Sequence, residues 1–96
     1  VKVIVKHKNK KMREHELVKL GFEKEEVSAE ESGDKAYYYY TYYLTDNCIL
    51  TSSANDEVKN NDWWVYEEDS LFLNTNNYSK VKNFISAFEN IMNEEE

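Results

Sequence analysis

The period of the apolar pattern changes along the chain, and each change marks an element. "VKVIV" (residues 1–5) alternates with period two and predicts a first strand or an ordered arm. In "KKMREHELVKLGF" (10–22), Met12, Leu17 and Leu20 fall near one face of a short helix. Gly21 supplies the left-handed residue that ends it, and Phe22 is placed to fold back onto Leu17. "EKEEVSAEESGDK" (23–35) has one large apolar residue, Val27, among six acids. It predicts a solvated loop, or a short irregular strand closing in the turn "SGDK". Ser28 and Glu31 have capping-box spacing, but no apolar run follows them.

Residues 37–43 are six tyrosines and one threonine. Aromatic and β-branched residues favour a pleated, half-buried surface, so this is a strand. Asp46 and Asn47 both tolerate positive φ and predict a two-residue hairpin turn into "ILTSSA" (49–54). "NDEVKNND" (55–62) is a loop, "WWVYE" (63–67) a third strand and "LFLN" (71–74) a short fourth. In the last segment, Val81, Phe84, Ile85, Phe88, Ile91 and Met92 recur at helical spacing, with Asn77 or Ser79 able to cap the start. Burying such side chains contributes about 1.5–3 kcal/mol each before entropy, so this helix belongs to the core. With no proline and two glycines, Asn, Asp and Ser clusters do the punctuating.

The order reads as α+β: an antiparallel sheet of three to four strands, with a short N-terminal helix and a C-terminal amphipathic helix packed on one face. Residues 1–96 form one domain, 1–11 being a basic arm or edge strand and 93–96 a frayed acidic tail.

A turn at Asp46–Asn47 places Thr45 opposite Cys48 and divides the hairpin into two faces. Tyr39, Thr41, Tyr43, Cys48, Leu50 and Ala54 share one, which its small and apolar members assign to the packed side. Tyr38, Tyr40, Tyr42, Leu44, Ile49, Thr51 and Ser53 share the other, assigned to the open side. A one-residue shift of register swaps these assignments. Trp63 and Trp64 are adjacent, so only one of them faces the core.

Charge then narrows the partners. The net charge is −7, yet residues 1–20 carry +5 and the remainder −12. An acidic body repels phosphate backbones and suits basic or neutral partners, although acids also simply keep a small domain soluble. A single cysteine, Cys48, excludes an internal disulfide and fits a reducing, cytoplasmic setting. No apolar run approaches the ~20 residues that span a bilayer. The opening is too short and too charged for a signal peptide. The chain starts on Val1, which fits a trimmed chain, an unusual start codon or a piece of something longer.

Catalytic chemistry finds little support. His7 and His15 lie in the lysine-rich head without the partners of a metal site. Cys48 has no nearby histidine in sequence and no basic setting to activate it; a small buried residue is the simpler reading. Gly21 and Gly33 stand alone, so there is no phosphate loop. "NYS" at Asn77 matches a glycosylation acceptor but sits at a helix start. Neither a cofactor nor an enzymatic activity is expected.

The stretches "LVKLGFEKEEVSAEESGDKAYYYYTYYL" (17–44) and "TSSANDEVKNNDWWVYEE" (51–68) resemble small α+β proteins encoded by phages and mobile elements. In those, an "LxKLGF" helix precedes an aromatic strand, a Ser/Asn-rich strand and a Trp-containing one. The resemblance implies a phage product acting inside the host cell. By analogy with other small phage proteins, anti-CRISPR proteins among them, it implies an inhibitor that binds a host factor.

The expected function is non-catalytic protein binding. Glu25, Glu26, Glu30, Glu31, Asp34, Glu67, Glu68 and Asp69 form the acidic contact that occupies a basic groove meant for nucleic acid. Tyr38, Tyr40, Tyr42 and Trp64 supply aromatic contact area. The alternative is direct nucleic-acid binding through Lys2, Lys6, Lys8, Lys10, Lys11 and Arg13 with a tyrosine platform. A third reading is a self-associating structural module, monomer and dimer both being open.

Overall fold

The computed structural model describes residues 11–67 and 73–94, with side chains through residue 89. Segment 1–5, the expected first strand, lies outside the described residues. The elements run α1 (Glu14–Leu20), β1 (Glu23–Val27), α2 (Ala29–Ser32), β2 (Tyr37–Thr45), β3 (Cys48–Ser52), a 3-10 turn (Asn55–Glu57), β4 (Val65–Glu67), β5 (Asn74–Thr75) and α3 (Tyr78–Glu94). The fold is α+β. Among the described residues its sheet has five strands rather than three to four, all antiparallel and in the order β1-β2-β3-β4-β5.

The extra strand is β1, in the acidic stretch where a loop or a short irregular strand was expected. Glu23 pairs with Thr41 and Val27 with Tyr37, so backbone pairing along the tyrosine strand overrides the poor strand propensity of its side chains. An edge strand made largely of charges also resists further pairing. α2 follows because the Ser28–Glu31 capping box does form: the Glu31 amide donates to Ser28 Oγ and the Ser28 amide to Glu31 Oε1. Gly33 closes it at φ 78°.

The termini of α1 follow local chemistry. The Arg13 amide donates to Glu16 Oε1 at 2.9 Å at its start. Gly21 adopts φ 107° at its end, and the Phe22 amide donates to the Leu17 carbonyl at 3.0 Å. Leu17 and Phe22 both enter the core. Asn77 caps α3, its Oδ1 accepting the Lys80 amide at 3.0 Å. Within α3, Val81 and Ile85 are buried and Phe84 and Phe88 half-buried. The side chains of Ile91 and Met92 lie outside the described residues. Met12 threads between two strands' ends: its amide donates to the Asn76 carbonyl, and its carbonyl accepts the Trp63 amide.

The Asp46–Asn47 turn forms where expected, with Thr45 opposite Cys48. One step later the register slips. Tyr43 pairs with Ile49, Tyr42 with Leu50 and Thr41 with Thr51, leaving Leu44 as the extra residue of a β-bulge. That residue inverts the tyrosine faces. Leu50 is fully buried, as its apolar character requires, and it brings Tyr42 inward with it. Tyr38, Tyr40 and Tyr42, expected on the open side, therefore lie on the core side. Tyr39, Thr41 and Tyr43, expected on the packed side, lie on the opposite one, with Tyr37.

The core side of the sheet, the even-numbered face of β2, carries an aromatic cluster. The Trp63 ring lies 6.2 Å from Tyr38, nearly parallel, and 5.7 Å from Tyr40, edge-on. The Tyr42 ring lies 5.4 Å from that of Phe22. Such pairs contribute roughly 0.5–1.5 kcal/mol beyond the area they bury. Met12, Leu17, Leu50, Val65, Leu73, Val81 and Ile85 complete this core among the described residues.

Candidate functional site: the odd-numbered sheet face

The odd-numbered residues of β2 present Tyr37, Tyr39, Thr41 and Tyr43 to the other side of the sheet. Opposite-strand partners share a face, so Glu23, Glu25 and Val27 of β1 join them, with Ile49 and Thr51 of β3 and Tyr66 of β4. Trp64 precedes β4. Its carbonyl accepts the Ser53 amide and its amide donates to Ser53 Oγ, which continues the ladder and puts its ring on the Tyr66 side. Tyr43 is 62% exposed, Trp64 41% and Tyr66 36%. Tyr37 and Tyr39 are half-buried, their rings 6.3 Å apart and 29° from parallel. Thr41 and Thr51 sit buried between these rings' strands as a floor of small side chains.

Of the two tryptophans, Trp63 goes inward and Trp64 outward. The cause is the loop before them. Asn60 and Asn61 both adopt positive φ, and Asn61 Oδ1 accepts the Trp63 Nε1–H at 3.0 Å. The indole is thereby buried with its donor satisfied.

Carboxylates border this face. Glu25 lies opposite Tyr39 and accepts the Thr41 hydroxyl at 3.1 Å. Asp56 and Glu57 come from the 3-10 turn, which Asn55 ties to the sheet by accepting the Tyr38 amide at 2.7 Å. A hollow of about 410 Å³ lies between Tyr37, Tyr39, Thr51, Ser52, Ala54, Asp56, Glu57 and Tyr66.

The expected contact residues fall in different places. Trp64 is exposed on the odd-numbered face, whereas Tyr38, Tyr40 and Tyr42 are packed. Glu25 is on the odd-numbered face, but Glu26 alternates to the other side, opposite Tyr38. Glu30, Glu31 and Asp34 are exposed on and after α2. Glu67 is only 7% exposed, since it pairs with Leu50 on the core side, and its Oε2 accepts the Cys48 thiol at 3.1 Å. That burial removes Glu67 from an acidic docking surface. Glu68 and Asp69 lie outside the described residues, as do Lys2, Lys6, Lys8 and Lys10. Lys11 and Arg13 are exposed on the segment bonded to Trp63 and Asn76. Sequence reasoning missed Tyr37, Tyr39, Tyr43, Tyr66, Asp56 and Glu57. Tyr66 was legible from alternation about an inward Val65; Tyr37, Tyr39 and Tyr43 depended on the bulge, and Asp56 and Glu57 on the 3-10 turn that brings them to this face.

The packed tyrosines are chemically unlike those of the odd-numbered face. The Tyr40 hydroxyl donates to Glu14 Oε2 at 2.8 Å; burial, then this bond and the negative charge, push its pKa well up. The hydrogen bond to Glu14 raises Tyr38, and burial reinforces it. Burial raises Tyr42, followed by its 3.0 Å bond to Glu89. Lys24 Nζ lies 4.3 Å from the centre of the Tyr38 ring, a cation–π contact on the sheet's core-side margin. These hydroxyls brace the sheet against α1 and α3 and are committed to structure.

Among the described residues there is no group of three or more His, Cys, Asp or Glu placed to hold a metal ion, and no helix is long and apolar enough to cross a membrane. No family model, curated protein or solved structure matches this chain.

Proposed function

We propose that this chain is a non-catalytic protein-binding module whose odd-numbered sheet face takes a partner with a basic surface. In this reading α1 and α3 both cover the even-numbered face, and the other face is kept for the partner. The observation that carries it is the coincidence of exposed Tyr43, Trp64 and Tyr66 with the carboxylates of Glu23, Glu25, Asp56 and Glu57 on one side of the sheet. Tyr and Trp are the side chains that anchor protein interfaces, and a carboxylate rim favours a cationic surface by complementary potential. The resemblance to phage-encoded proteins extends the reading: the partner is a host nucleic-acid-handling protein, and the bound chain fills its basic groove as an inhibitor. Direct binding of nucleic acid fits less well, because phosphates meet carboxylates at this face, and neither Lys11 nor Arg13 lines its hollow.

The test is affinity capture from lysate at low and moderate salt, followed by binding of each captured protein in purified form. A basic partner should bind wild type, weaken with salt, and be lost with Glu25→Lys/Tyr43→Ala. Binding unchanged by that double substitution would refute the reading.

A further inference from the structure

We propose that the hollow between Tyr37, Tyr39, Tyr66, Asp56 and Glu57 is a receptor for one arginine side chain of the basic partner; this rests on the reading above and names its anchoring contact. Three features converge. The hollow, about 410 Å³, is larger than an arginine side chain and open to solvent, so a long side chain enters without displacing protein atoms. Part of its lining is aromatic: Tyr37 and Tyr39 border it as a stacked pair, 6.3 Å apart and 29° from parallel, and a planar cation stacks on such ring faces. Its wall is anionic and placed by a fixed turn. Asn55 holds the start of the turn to the Tyr38 amide, and the Glu57 amide closes it on the Ala54 carbonyl at 2.9 Å.

The two carboxylates differ in commitment. Glu57 Oε1 accepts the Ala54 amide, at a long 3.4 Å. Asp56 is exposed and has no hydrogen bond or ion pair among the described residues. It is thus the carboxylate available to meet a guanidinium, whose fork of N–H donors matches a carboxylate edge while its face stacks on a ring. An ammonium group satisfies only the charge, so arginine is preferred over lysine. The wider charge agrees: residues 21–96 carry a net −12.

The experiment is an NMR titration of the full chain at low ionic strength, following the tyrosine ring signals. The probes are N-acetyl-arginine methylamide, its lysine counterpart, and its citrulline counterpart, which keeps the shape without the charge. The arginine probe should shift the Tyr37, Tyr39 and Tyr66 rings, saturating on the order of 1 mM. Citrulline should bind roughly tenfold more weakly, and lysine should fall between them. Asp56→Asn/Glu57→Gln should weaken the arginine probe by roughly tenfold while the amide spectrum stays dispersed. Equal response to citrulline, or shifts confined to other rings, would overturn the proposal. A purified basic partner lost with Glu25→Lys/Tyr43→Ala but retained by Asp56→Asn/Glu57→Gln overturns the pocket and leaves the docking face standing. Arginine binding without any partner dependent on Glu25 and Tyr43 does the reverse.

Discussion

Tyr42 lies directly opposite Leu50, one residue out of the register that the Asp46–Asn47 turn sets at Thr45 and Cys48. The division of the β2 tyrosines between the two sheet faces follows from that slip. Without the extra residue at Leu44, Leu50 would sit opposite Tyr43, and the even-numbered tyrosines would face away from the core.

The face assignment predicts opposite costs for two chemically identical truncations. Tyr40→Ala removes a ring that is 4% exposed and packed on Trp63, and should destabilise by about 3–5 kcal/mol. Tyr43→Ala removes a ring that is 62% exposed and should cost no more than about 0.5 kcal/mol. Urea denaturation of both variants checks the ranking, and a larger loss at Tyr43 would refute it.

Gly21 makes the end of α1 sensitive to the tyrosine strand. A Cβ there would lie 3.2 Å from the Tyr42 ring, at a φ of 107° that side chains rarely adopt. Gly33 also has positive φ, 78°, but nothing within 4 Å. Gly21→Ala should cost about 1–3 kcal/mol, and more than Gly33→Ala, because only the first must also displace a ring. Denaturation midpoints of the two variants measure the difference.

Alkaline pH should loosen the fold through the inward hydroxyls. Tyr38, Tyr40 and Tyr42 have pKa values above their ordinary value of about 10, so the folded state holds their protons more tightly than the unfolded state. Their contribution is whole below that pH and is lost as pH rises through it toward the folded values. Unfolding free energy measured from pH 8 to 11 should fall, and Tyr40→Phe should reduce the slope. The 295 nm phenolate absorbance of Tyr40→Phe should lack a component that titrates late in wild type.

Asn77→Ala deprives the Lys80 amide of its partner and should cost about 1 kcal/mol. Asn77→Asp keeps the acceptor and adds a negative charge at a helix start, and should be neutral or stabilising. Thermal unfolding followed by circular dichroism separates the two outcomes.

Much of the local chemistry was legible in the sequence, the Ser28–Glu31 capping box that starts α2 being the exception. Gly21 ends α1, Asp46 and Asn47 make the turn, Asn77 starts α3, and the Trp63–Trp64 pair splits across the sheet. Leu50 also went inward as its side chain demands. Most of what sequence patterning missed is set by longer-range pairing. The bulge at Leu44 leaves no local signature, because tyrosines populate both faces of β2 and either register buries a row of them. β1 was obscured by its charges: a strand that borrows its backbone partners from a strong neighbour needs little propensity of its own. Glu67 resembled a surface acid beside Glu68, yet one residue of alternation puts it under Leu50 with the Cys48 thiol as donor.

Hydroxyl-radical footprinting with residue-level mass spectrometry reads both sheet faces at once, the packed tyrosines and the proposed docking face. In the free protein Tyr43, Trp64 and Tyr66 should oxidise fast while Tyr40 and Trp63 stay nearly silent. Addition of poly-arginine at low salt should protect Tyr37, Tyr39 and Tyr66. Fast oxidation of Tyr40 would refute the packed tyrosine face, and protection that spares the odd-numbered face would refute the docking one.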